Sequence, residues 1–144
     1  MISGMKKLIL ISALLLFASN GWADEDVFGL DCSYSSGPEE HLLLPWIHNY
    51  FVLDMKNEEV LVWDTFYLVF KKNELNVSPA SVSWGGGEIR RYYISRSTLR
   101  YRYGTKTSTG FDYSDWFECK MFSEEKIYDL ADQHRKEVTK SNKF

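Results

Sequence analysis

From residue 28 onward, apolar and polar positions mostly alternate. Phe28, Leu30, Cys32 and Tyr34 fall on one face against polar neighbours, the period-two signature of a half-buried strand, and this aims Cys32 inward. A turn follows at 35–40, then extended segments at 41–46 and 49–54, with Pro45 marking an edge or a bend between them. A polar hairpin loop at 55–59 leads into a strand at 60–64. The stretch 66–70 is apolar throughout and reads as a strand buried on both sides, in preference to a short helical turn. Short alternating pieces at 75–77 and 81–84 surround Pro79, and Gly85, Gly86 and Gly87 then break the pattern.

The clearest hairpin has strands at 90–94 and 99–103 about a turn at 95–98. Tyr92 and Ile94 share one face, Leu99, Tyr101 and Tyr103 share another, and Arg100 and Arg102 lie opposite these. Glycine, serine and threonine at 104–110 predict a flexible loop, and 116–122 predicts the closing strand, which carries Cys119. The chain then changes period. Ser123 is placed as an N-cap, Glu124 and Glu125 meet the positive end of the helix dipole, and Ile127, Leu130, Ala131, His134 and Val138 form one stripe. A helix over about 123–140 follows, with fraying expected beyond it. Short strands at regular spacing with one terminal helix predict a mainly β protein: a small antiparallel barrel or sandwich with a C-terminal α-helix.

The first 23 residues follow a different logic. Lys6 and Lys7 precede an apolar run at 8–17, and Gly21 and Ala23 supply small side chains at −3 and −1 of a cut between Ala23 and Asp24. The apolar run is about half of the roughly 20 residues a spanning helix needs. The segment 1–23 therefore reads as a cleavable signal peptide of bacterial type, and 24–144 as a single exported, soluble domain in the periplasm or outside the cell. No cysteine stands at the cut, which argues against a lipid anchor.

Charge and cysteine content sharpen this picture. The segment 24–83 holds 11 acidic and 3 basic residues, whereas 84–144 holds 9 acidic and 12 basic ones, so an acidic half faces a weakly basic one. An exported acidic chain is a poor partner for nucleic acid. The two cysteines, Cys32 and Cys119, predict one disulfide in an oxidising compartment. That bond ties the first strand to the last, and closing so long a loop is worth about 4–5 kcal/mol in the chain-entropy account.

Cys32, then 51–54 with Lys56, then Val82 and Trp84, then the run from Tyr92 to Thr98 resemble in order a type of small exported bacterial β-domain proteins. Those proteins carry a comparable aromatic–isoleucine–x–arginine–x–threonine hairpin. The resemblance spans most of the chain after residue 23 and implies the architecture, without an activity. Exported lysozyme inhibitors are also small disulfide-bearing β-barrels, but their serine–glycine loop followed by a tyrosine has no counterpart, because Ser36 and Gly37 run into Pro38 and Glu39.

Candidate chemistry is sparse. His41, His48 and His134 belong to no zinc-ligand spacing, and each is expected to be structural or on the surface. No G-x-S-x-G motif is present, and the paired glutamates at 39–40, 58–59 and 124–125 fall at turns or a helix start, where they are solvated. The triple glycine lacks the following Lys-Ser/Thr of a phosphate loop. Asn76 heads a glycosylation sequon, expected to be unmodified in a bacterial setting. No catalytic residue, cofactor or metal ligand is nominated.

The most informative patch is the arginine–tyrosine alternation around the hairpin, with Arg91, Tyr93, Arg100 and Arg102 as candidate ligand residues. Arginines so placed also serve to pair with acids or to blunt an exposed edge. The expectation is a non-catalytic exported binding module for a protein partner or an anionic envelope component, acting through this hairpin or an open barrel mouth. The alternatives are a small periplasmic hydrolase and an inhibitor of a cell-wall enzyme.

Overall fold

The computed structural model describes residues 26–33, 48–85 and 89–141. The expected export segment with its Ala23–Asp24 cut, the expected turn at 35–40 and extended segment at 41–46, and two of the three glycines lie outside the described residues.

Among the described residues, ten strands form one antiparallel sheet. They are β1 (Val27–Ser33), β2 (Asn49–Asp54), β3 (Glu59–Asp64), β4 (Val69–Glu74), β5 (Asn76–Val77), β6 (Ser81–Trp84), β7 (Arg90–Ser95), β8 (Arg100–Thr107), β9 (Gly110–Tyr113) and β10 (Phe117–Phe122). The order is β4-β3-β2-β1-β10-β8-β7-β6-β5, with β9 paired to β8 off this path. The two edge strands, β4 and β5, are consecutive pieces of one run of chain with Leu75 between them. The sheet therefore curls until its edges meet through the backbone, giving a nearly closed barrel instead of a sandwich. Leu75 fills that seam, with its side chain buried in the interior and its N–H donating to the Glu58 carbonyl at 2.8 Å.

Strand alternation sets what lies inside. Phe28, Leu30 and Cys32 of β1, Phe51 and Leu53 of β2, and Trp84, Ile94 and Tyr101 opposite them share one buried cluster. The rings interlock: Phe51 meets Trp84 edge-on at 5.2 Å, and Trp84 stacks between Tyr92 at 5.4 Å and Tyr101 at 6.3 Å. Cys32 and Cys119 are directly opposed on the paired strands β1 and β10 and form a disulfide, the expected tie between first and last strand. Such a bond is compatible with an oxidising, extracytoplasmic location.

The outer face of β1 to β3 is also covered. Helix α1 (Glu124–Ser141) lays Ile127 and Ala131 on Tyr50, Val52 and Trp63, which explains why β2 is buried on both faces and shows no clean alternation. The helix starts as its sequence dictates, with the Lys126 N–H donating to Ser123 Oγ at 3.2 Å. Gly29 permits the close approach, because a Cβ there would overlap the Ile127 side chain. Among the described residues, no helix is long and apolar enough to cross a membrane.

Three local expectations are corrected. The run 66–70 is not a strand throughout, because residues 65–68 turn and β4 begins only at Val69. Asp64 Oδ1 accepts the N–H groups of Phe66 at 2.8 Å and Tyr67 at 2.9 Å, and Leu68 adopts φ 58°, so an Asx-type turn overrides apolar content. The stretch 104–110 is not a loop but the end of β8 and the turn into β9, held by pairs from Gly104–Tyr113 to Thr107–Gly110. The facing of the hairpin is also simpler than expected: Tyr92 opposes Tyr103 and Ile94 opposes Tyr101, so all four side chains share the interior side.

Candidate functional site

At one end of the barrel, β3, β6 and β8 finish and β2, β4 and β7 begin, leaving a mouth with a cavity of about 550 Å³. Phe51, Trp84 and Tyr101, all nearly inaccessible, form its floor, while Tyr92 and Tyr103 are only partly buried and stand as wall. Asn49, Asn73, Asp64, Lys71 and Arg90 supply the polar lining. The lining thus pairs aromatic rings with polar and charged groups.

Among the described residues, the mouth carries more cation than its acids neutralise. Lys71 Nζ lies 2.9 Å from Asp64 Oδ2 and 4.5 Å above the Tyr67 ring. Burial works to raise the Asp64 pKa, but the N–H groups of Tyr67 and Phe66 and the Lys71 ammonium outweigh it and hold this carboxyl below its ordinary range. The Arg90 guanidinium sits 5.5 Å over the Tyr103 ring and has no carboxylate within ion-pair distance among the described residues. Burial raises the Tyr101 phenol well above its usual value, with Tyr92 and Tyr103 adding to the effect and Arg90 opposing it, so the ring stays neutral and can donate a hydrogen bond.

The arginine–tyrosine patch has a different fate. Arg91, Tyr93, Arg100 and Arg102 do share the outer face of the hairpin, since each alternates with an inward neighbour. Arg100 is engaged, its Nε 2.7 Å from Glu118 Oε1. Arg102 is caged: its guanidinium lies 4.3 Å from the Tyr113 ring, 4.4 Å from Trp116 and 5.8 Å from Tyr93, and its buried Nε has no hydrogen-bond partner. Arg91 rests 4.0 Å over Phe111. Phe111, Tyr113 and Trp116, which build these cation–π contacts, were not expected. The alternation of Phe111 and Tyr113 just after Gly110 was the available signal, hidden by the preceding glycine, serine and threonine. Gly104 is part of the same arrangement, since the Tyr113 ring covers it and a Cβ there would come within 2.8 Å.

The two described histidines are structural neighbours under the helix. His48 Nδ1 lies 2.8 Å from Asp31 Oδ1, and the His48 ring stacks on Tyr50 at 5.9 Å. Trp63 Nε1–H donates to His134 Nδ1 at 2.8 Å, with the Arg135 guanidinium 5.4 Å over the indole. Burial, with Asp31 nearby, pushes the Tyr50 phenol up to about 12, and burial first and His48 second lower the His134 pKa. Among the described residues, no three His, Cys, Asp or Glu side chains converge as a metal site would require. His41 lies outside the described residues.

Comparison with protein-family models, with curated proteins and with solved structures finds no match to the chain.

Proposed function

We propose that this chain is an exported, non-catalytic binding module that takes a small anionic ligand, an envelope component, in the mouth of its barrel. The observation that carries the reading is the cavity of about 550 Å³ in which Arg90 faces aromatic walls with no carboxylate partner among the described residues. A guanidinium backed by a ring keeps its planar N–H edge for a carboxylate or phosphate, and the Tyr92 and Tyr103 rings offer surface to the ligand body. The outer patch is less available, since Arg100 is spent on Glu118 and Arg102 on three rings.

A non-catalytic role is favoured over hydrolysis by the lining itself. Among the described residues Asp64 is its one carboxylate, already accepting two N–H groups and the Lys71 ammonium, and no histidine joins it. General acid–base chemistry needs a group free to exchange a proton with substrate. Export is supported by the segment 1–23 and by the Cys32–Cys119 bond.

Fluorescence titration with anilinonaphthalene sulfonate, an anionic aromatic probe, tests the site. Saturable binding is expected, weakened about tenfold or more by Arg90→Glu, because a charge-assisted hydrogen bond is worth roughly 1.5–3 kcal/mol. Arg102→Lys should leave the affinity unchanged. Equal affinity in wild type and Arg90→Glu would sink the proposal.

A further inference from the structure

The three most exposed large hydrophobic side chains among the described residues stand at the same end of the barrel. Phe66 is 83% exposed, Ile89 73% and Tyr67 64%. Phe66 and Tyr67 follow Thr65 on one side of the mouth, and Ile89 precedes Arg90 on the other, so the cavity opens between them.

The Phe66 and Tyr67 side chains are held outward. Asp64 caps the turn by accepting the Phe66 and Tyr67 N–H groups, and the Leu68 N–H donates to the Asp64 carbonyl at 2.8 Å. Leu68 and Phe70 anchor the same turn from below by packing against the cluster under the helix. Phe66 meets Tyr67 edge-on at 4.9 Å, so the pair protrudes as one wedge. Leaving such side chains in water forgoes the gain that burial would bring. A fixed turn that presents them is therefore arranged for something apolar.

Cations surround this rim. The Lys106 N–H donates to the Ile89 carbonyl at 2.7 Å, which sets Lys106 beside Arg90 and Arg91 at the open end of the hairpin, with Lys71 across the mouth. Lys106, Arg90 and Arg91 have no carboxylate within ion-pair distance among the described residues. Aromatic and aliphatic side chains ringed by lysine and arginine match the boundary between headgroups and acyl chains of an anionic bilayer. The hydrophobic side chains project at two separate places, the Phe66–Tyr67 pair on one side of the mouth and Ile89 on the other. A bilayer accepts such insertions anywhere, whereas a protein partner would need a matching pocket for each.

We infer that the mouth end of the barrel docks on an anionic lipid surface, with Phe66, Tyr67 and Ile89 entering the interface and Lys71, Arg90, Arg91 and Lys106 facing phosphates. This deepens the reading of the mouth as a ligand site by naming the surface it opens on, and docking does not require the cavity to be filled.

Flotation with vesicles tests it. Wild type should be captured by phosphatidylcholine vesicles containing phosphatidylglycerol and lost at high salt, with little capture by phosphatidylcholine alone. Phe66→Ser combined with Ile89→Ser should weaken capture about tenfold or more, and Lys106→Glu about tenfold. Neither variant touches the cavity, so probe binding in the mouth should persist; its loss in wild type would count against the mouth reading alone. Absence of wild-type capture, or capture indifferent to both variants, would overturn the docking inference. Retention on immobilised polyglutamate without vesicle capture would overturn it in favour of an acidic polypeptide.

Discussion

Arg102 shows how a side chain's meaning depends on what folds over it. Period-two alternation puts it on the outer face, as expected, yet the rings of Tyr113 and Trp116 reach it from a segment that reads as loop. Its planar guanidinium suits such stacking, while a lysine ammonium would sit there as a strongly hydrated point charge. Arg102→Lys should therefore cost about 1–2 kcal/mol of stability, read from the denaturant midpoint, with probe affinity intact; a drop in affinity at unchanged stability would make Arg102 a ligand residue. Gly29 is the opposite case, important for what it lacks. Gly29→Ala drives a Cβ into Ile127 and should cost about 1–3 kcal/mol. Adding Ile127→Ala should give back part of that cost, so the double variant falls short of the sum of the singles. The outward arginines were legible because alternation needs only the strand itself. The cage was not, because a cation–π partner is chosen by sheet order, and the β8–β9 hairpin lies in residues whose composition signals a loop.

At the scale of elements, the helix was read almost to its ends, since Ser123, the paired glutamates and the apolar stripe all agree. The turn after Asp64 departs from the apolar pattern because five apolar residues carry no period, and the deciding feature is the carboxylate just before them. His134 lies on the helix stripe, and its fit depends on an unforeseen partner, the Trp63 indole. This contact makes stability depend on pH. His48, Asp31, Tyr50, Trp63 and Arg135 surround the contact, and burial first, then His48, keep the His134 pKa below its ordinary value near 6.5. The unfolded chain takes up the proton first, so the contribution is complete above about pH 6.5 and declines as pH falls toward the folded-state pKa, at up to about 1.4 kcal/mol per pH unit. Protonation also turns Nδ1 into a donor and breaks the bond from Trp63. Thermal unfolding of wild type should thus weaken between about pH 7 and 5, and His134→Leu should flatten that decline. Parallel pH profiles for the two proteins would show that His134 is not the responsible group.

For the whole molecule, the choice between barrel and sandwich turns on one place, the seam at Leu75. Pairing of first and last strands followed from the two cysteines, but that alone suits either architecture. What closes the barrel is that β4 and β5 share a run of chain while pairing with opposite ends of the sheet, and no local pattern records it. The barrel therefore has two different ties. One is buried leucine packing, and Leu75→Ala should cost about 2–5 kcal/mol by leaving a cavity. The other is the bond between Cys32 and Cys119, which joins strands already held by a five-residue ladder from Gly29–Phe122 to Ser33–Glu118. Because that ladder fixes the native neighbours without the bond, the disulfide acts chiefly by restricting the unfolded chain. Replacing both cysteines with serine should lower unfolding stability by about 2–5 kcal/mol while near-ultraviolet circular dichroism and probe binding in the mouth stay native at low denaturant. Loss of those native signals before any denaturant is added would mean that the bond itself holds the barrel shut, and that the strand ladder between β1 and β10 is too weak to keep the mouth in shape.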